Sequence, residues 1–153
     1  PILKAANMSV GVNLMLRLVR QAAAALDGSY DVEIVEAHHR FKVDAPSGTA
    51  LAIRDAVNAG RADRGNEPGN VVHGRQGNTG ERKAGEIGMH ALRIGDTVGE
   101  HTISFGALGE TISISHSAHS RDTFAGGALR AAAWIAGKQP GLYDMQHVMF
   151  GRA

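Results

Sequence analysis

Residues 87–94, 98–105 and 111–117 are three strand-like runs, separated only by Gly95-Asp96 and by a glycine-bounded turn at 106–109. Short glycine connections of this kind join neighbours in an antiparallel meander, so the second half of the chain predicts a sheet rather than a helical bundle. Ile112 and Ile114 fall on one face of that sheet. Thr111, Ser113, Ser115 and Ser117 fall on the other, a hydroxyl-rich surface suited to solvent or to a second packing partner.

The first half supplies what the sheet needs for cover. Leu14, Leu18, Ala22, Ala25 and Leu26 keep helical spacing within residues 9–26, and Asp27-Gly28 stops the helix. Residues 31–37 alternate as a half-buried strand. A second helix is expected over 49–59, capped by Ser47 or Thr49, with Leu51, Ile53 and Val57 apolar. Residues 60–86, rich in glycine and arginine and poor in apolar side chains, read as a long functional or mobile loop. Residues 123–136 form a last strong helix that Thr123 can cap and Gly137 with Pro140 ends, and a short helical turn follows near 144–149. The expected fold is α+β: a mixed sheet of about four strands, covered on one face by helices.

At 153 residues the chain suits one core, and with 5% aromatic residues that core must be aliphatic. A formal charge of +1, without a basic run or a series of stacking aromatics, argues against a nucleic-acid partner. No stretch approaches the ~20 apolar residues of a membrane span. Cysteine is absent, which rules out disulfides and thiolate metal sites and suits a cytoplasmic location. The start Pro1-Ile2-Leu3-Lys4 has no initiator methionine and no signal-peptide layout, and reads as the interior of a longer chain.

The chemistry concentrates in residues 36–50: Glu36-Ala37-His38-His39-Arg40-Phe41-Lys42-Val43-Asp44-Ala45-Pro46-Ser47-Gly48-Thr49-Ala50. A cationic cluster at a strand end meets the start of a helix, where free amides and the helix dipole favour an anion. On residue types alone the cluster reads equally as a solvated polar loop. Two features favour a site. Glu36 and Asp44 can hold the imidazole or the ammonium, and Pro46-Ser47-Gly48-Thr49 makes a turn in which Gly48 lets a carboxylate approach the backbone. His38 can move a proton near neutral pH and Lys42 lies close by, so the expected ligand is a small carboxylate that gains or loses a proton.

Other uses of these residues are weaker. Ser47 lacks a nucleophile elbow and a placed triad partner. His38-His39 are adjacent and diverge, and His116-x-x-His119 is a lone pair, so no metal site is expected. Gly74-x-x-Gly77-x-x-Gly80 neither follows a clear strand nor has dinucleotide spacing.

The 36–50 run resembles the signature of bacterial dihydrodipicolinate reductases. Four further segments are similar to the same family: Ala5-Ala6-Asn7-Met8-Ser9-Val10-Gly11-Val12-Asn13, Thr79-Gly80-Glu81-Arg82, Arg93-Ile94-Gly95-Asp96-Thr97-Val98-Gly99-Glu100-His101, and Ser120-Arg121-Asp122-Thr123-Phe124-Ala125. They span nearly the whole chain in family order. The resemblance implies NADPH- or NADH-dependent reduction of 4-hydroxy-tetrahydrodipicolinate in the diaminopimelate route to lysine. It implies His38 as general acid/base and Lys42 as proton donor. His39, Ser47, Gly48 and Thr49 would hold a substrate carboxylate, and Ala5, Ala6, Asn7 and Met8 would contact the cofactor. Met8 stands where the family often has Phe.

The resemblance also divides the chain: residues 1–9 as a cofactor-contacting hinge, 10–118 as the substrate-binding and tetramerisation domain, and 119–153 as a tail that packs with a nucleotide-binding domain. The family's Gly-x-Gly-x-x-Gly domain is not in this sequence. The chain by itself is therefore expected to bind NAD(P)H poorly, and Phe124, Leu129 and Trp134 to lack part of their packing surface. The alternative reading is a stand-alone dicarboxylate-binding or assembly domain without redox activity. In the family the hydroxyl-rich sheet face builds a homotetramer, and the same assembly is expected here.

Overall fold

In a computed structural model that describes residues 1–151, the elements run β1 (Ile2–Leu3), α1 (Val10–Ala25), β2 (Asp31–His38), α2 (Gly48–Ala62), β3 (Val71–His73) and β4 (Ile87–Arg93). They continue through β5 (Gly99–Ala107), β6 (Glu110–Ala118), α3 (Asp122–Ile135), β7 (Leu142–Tyr143) and α4 (Met145–Phe150). The expected tail at 119–153 thus ends in two residues, 152 and 153, outside the described ones. The architecture is α+β, with a mixed sheet as anticipated. It holds five strands rather than about four, in the order β3-β4-β2-β5-β6, and β1 pairs with β7 in a separate two-stranded sheet.

The meander expectation is corrected at its first connection. β4 lies parallel to β2, β5 lies antiparallel to β2, and β2 therefore separates them. Only β5 and β6 form a hairpin. Two strand spacings amount to roughly 10 Å, which the residues after β4 cross easily. That connection arches over the end of β2 and is fastened there, because the Ile94 amide donates to the His38 carbonyl and the Arg40 amide to that of Gly95.

The 60–86 loop is also less open than its composition predicts. Val71–His73 add a short parallel strand to β4. Arg82 pins the remainder, reaching the Asp31 and Glu33 carboxylates and the carbonyls of Val32 and Glu86.

Helices α1 and α2 cover one sheet face. Met15, Val19, Ile53 and Val57 meet Ile34, Ile87, Ile103 and Phe105, all nearly inaccessible to solvent. Ser9 caps α1 and Ser47 caps α2 through their side-chain oxygens. Thr123 does not cap α3. Its hydroxyl donates to the Ser120 carbonyl, and the helix starts one residue earlier without a side-chain cap.

A second, smaller core joins the two ends of the described chain. Ala131, Met145 and Val148 pack with Leu3, Ala5, Met8, Val10, Trp134 and Met149. Gly127 makes this contact possible: a Cβ there would stand 1.8 Å from the Met8 carbonyl oxygen.

Candidate functional site

Alternation along β2 turns Val32, Ile34, Glu36 and His38 toward the helices. Three of these positions are buried, so the carboxylate of Glu36 lies at the bottom of the layer, fully inaccessible. A buried carboxylate needs partners, and Glu36 has four donors. Arg93 forks onto it, Nη1 to Oε2 at 2.9 Å and Nη2 to Oε1 at 3.0 Å. The Ser47 amide donates to Oε1 at 3.1 Å, and Nδ1 of His38 stands 2.5 Å from Oε2. Burial alone pushes this carboxyl up, but the bonds from Arg93, His38 and the Ser47 amide together bring it below the ordinary carboxylate value.

That contact fixes the His38 ring by Nδ1 and leaves Nε2 as the nitrogen available for chemistry. The Nε2 edge lies against Gly99, where an added Cβ would come within 3.1 Å. His101, the β5 partner of Glu36, meets the His38 ring edge-to-face at 5.1 Å between centroids. Its Nε2 is 3.1 Å from the Ser47 hydroxyl, which also accepts the Ala50 amide as the α2 cap. Burial first, and the His38 charge next, lower His101 to about 4 from 6.5, so it is neutral at physiological pH. His38, Ser47, Glu36, Arg93 and His101 thus form one connected group.

The remaining expected site residues surround this group. Gly48 and Thr49 open α2, and their amides have no hydrogen-bond partner among the described residues. A Cβ at Gly48 would meet nothing within 4 Å, so the backbone is uncovered on that side. The hydroxyl of Thr49 accepts from Asn7 Nδ2 at 2.9 Å, which brings the 5–8 segment to the same turn. His39 accepts a bond from Arg121 at 3.3 Å. Lys42 does not hydrogen-bond the Gly48-Thr49 turn. Its ammonium is held by both Asp44 oxygens, at 2.7 and 2.9 Å, and this pairing depresses the Asp44 carboxyl. Ala5 and Ala6 line a cavity of about 670 Å³ between α1, α2 and the C-terminal segment, and none of the expected substrate residues lines it.

Arg93, His101 and Arg121 stand in the family-like segments, and they hydrogen-bond Glu36, Ser47 and His39 respectively. The signal for the first two lies in the alternation: each is a polar residue on the core-facing row of its strand, beyond Met89 on β4 and Ile103 on β5. Among the described residues there is no group of three His, Asp or Glu side chains placed to hold a metal ion. No helix among them is long and apolar enough to cross a membrane.

Residues 11–149 match the family model described as dihydrodipicolinate reductase, C-terminus. The 4-hydroxy-tetrahydrodipicolinate reductase of Thiobacillus denitrificans is 53% identical over 149 residues, covering 97% of this chain and 55% of that relative. Its counterpart from Akkermansia muciniphila is 52% identical, with 97% of this chain and 60% of the relative covered. The chain therefore spans little more than half the length of these curated relatives. A solved structure, dipicolinate-bound dihydrodipicolinate reductase from Paenisporosarcina sp. TG-14, superposes with a TM-score of 0.70 at 25% identity, over 97% of this chain and 54% of that one.

Proposed function

Because the chain belongs to the dihydrodipicolinate reductase family, to whose C-terminal part its residues 11–149 correspond, we propose that it is the substrate-binding portion of an NADPH- or NADH-dependent 4-hydroxy-tetrahydrodipicolinate reductase. The activity belongs to the diaminopimelate route to lysine, and its setting is the cytoplasm. One observation carries the reading. The end of β2 and the start of α2 are locked together by Glu36, which holds the His38 ring and the Ser47 amide while the Gly48 and Thr49 amides stay free. Free amides at a helix start favour a carboxylate, and an imidazole fixed by one nitrogen presents the other to a proton.

In this reading Ser47, Gly48, Thr49 and His39 hold a substrate carboxylate. His38 acts as general acid/base, and Lys42 exchanges Asp44 for the substrate and delivers the proton. Residues 5–8 fit the nicotinamide end of a cofactor, being small at Ala5 and Ala6 and tied to the site by the Asn7–Thr49 bond. They offer no amide cradle for a pyrophosphate. When bound, the nicotinamide supplies a hydride. The chain's own residues hold the dicarboxylate and move the proton.

The division into a hinge at 1–9, a substrate-binding domain at 10–118 and a packing tail at 119–153 belongs to this proposal. It is supported by the separate core at the chain ends and by the apolar exposure of α3, where Leu129 is 73% accessible. A homotetramer is supported by the open sheet face. There Thr102 pairs with Ser115 at 3.0 Å and Ser104 with Ser113 at 2.8 Å, so the hydroxyls satisfy one another and leave a flat surface.

Calorimetric titration of this chain tests the assignment. Dipicolinate is expected to bind, with binding lost in the Lys42→Ala/His39→Ala double variant, whereas NADPH is expected to give no binding in the micromolar range. An absence of dipicolinate binding, or micromolar NADPH affinity, contradicts it.

A further inference from the structure

Arg93 joins the two side chains to which the proposed reaction assigns proton movement, though it hydrogen-bonds neither. At the end of β4 it is the register partner of His38. Its Nη1 and Nη2 engage both oxygens of Glu36, and Glu36 in turn holds His38. The same Nη2 donates to the backbone carbonyl of Asp44 at 2.6 Å, and Asp44 holds Lys42. A planar guanidinium can satisfy these directions at once, whereas a lysine ammonium is a single point with no fork.

We propose that Arg93 is a positioning residue that keeps His38 and Lys42 in one frame, through Glu36 on one side and the Asp44 backbone on the other. The inference rests on the functional reading given above. The groups facing Glu36 are His38 from its own strand, Arg93 from β4, His101 from β5 and the Ser47 amide from the start of α2. Without Arg93, burial still pushes the Glu36 carboxyl up, and the guanidinium fork that holds it down is gone. Glu36 then takes a proton at higher pH, and His38 loses its anionic anchor. The free amides of Gly48 and Thr49 are untouched, so substrate affinity suffers less than turnover.

The test uses the full polypeptide that contains this chain. In Arg93→Met, kcat is expected to fall ~10- to 100-fold, because the reacting groups lose their alignment, with a smaller change in KM. The acid limb of the kcat profile is expected to move to higher pH. Arg93→Lys keeps the charge but not the fork, and its limb is expected to lie between the two. A kcat within twofold of wild type with an unmoved limb overturns the proposal. So does failure of both variants to fold, which would assign Arg93 to the fold alone. The proton signal of His38 Nδ1–H supplies a readout independent of turnover: its hydrogen bond to Glu36 is expected to weaken in Arg93→Met, and an unchanged signal counts against the proposal. A wild-type protein without turnover defeats the functional reading, and that signal still decides the role of Arg93.

Discussion

Asn7 Nδ2 donates to Thr49 Oγ1 at 2.9 Å across a sequence separation of 42 residues. The bond ties the segment before α1 to the first turn of α2, the two stretches expected to meet cofactor and substrate. Asn7 is itself constrained, since its Oδ1 accepts the Ser9 amide and its carbonyl accepts from Asn13. Thr49→Val keeps the shape of the side chain and leaves the Asn7 donor unpaired. A stability loss of about 1 kcal/mol is expected from chemical denaturation, with a larger change in substrate KM than in kcat. Unchanged stability together with an unchanged KM would show that the bond does not organise the site.

His101 makes folding pH-dependent. Its folded pKa of about 4 lies below the ordinary 6.5, so between these values the unfolded chain binds the proton and the folded chain does not. Stability is complete above 6.5 and declines as pH falls toward 4, by about 3 kcal/mol at most. His116, also lowered by burial, acts in the same direction. Glu36, whose carboxyl is depressed, extends the loss below its ordinary 4.5. Urea titrations of wild type and His101→Asn across this range should show the slope reduced in the variant. Parallel slopes would contradict the assignment.

Gly127→Ala places a methyl group against the Met8 carbonyl, where backbone rather than a flexible side chain must yield. A destabilisation of about 1–3 kcal/mol is expected. Hydrogen exchange should locate it in α3 and residues 1–9, with the main sheet still protected. A uniform loss of protection would mean that the two cores do not respond separately.

The open sheet face predicts assembly. Light scattering at micromolar concentration is expected to report a mass near four chains, and Thr102→Lys with Ser104→Lys should shift it toward one. A clean monomer in the unaltered protein would mean that the face is simply solvated.

Local patterns were legible in the sequence and non-local pairings were not. The spacing of Leu14, Leu18 and Ala22 places α1 to within a residue at each end, and of the two cap candidates Ser47 and Thr49 it is Ser47 that caps α2. The insertion of β2 between β4 and β5 left no local trace, because a short glycine connection serves either a hairpin or a bridge over one strand. β3 has only three residues, too few to show alternation. Glu36 and Asp44 could be named as partners because they flank the cluster in sequence. Arg93 and His101 enter the site through strand register, which the sequence does not display. Asp44, named as a holder of the ammonium because it flanks the cluster, does pair with Lys42.

The most direct test of the account is steady-state oxidation of NADPH or NADH with 4-hydroxy-tetrahydrodipicolinate, catalysed by the full polypeptide that contains this chain and by its Lys42→Ala variant. Turnover inhibited by dipicolinate is predicted. A charge-assisted contact made chiefly in the transition state should cost the variant roughly 10²- to 10³-fold in kcat. The variant's thermal midpoint should be unchanged, since the Lys42–Asp44 pair is exposed at its Asp44 end. No cofactor oxidation by the wild type, or a variant within a few-fold of it, would contradict the account.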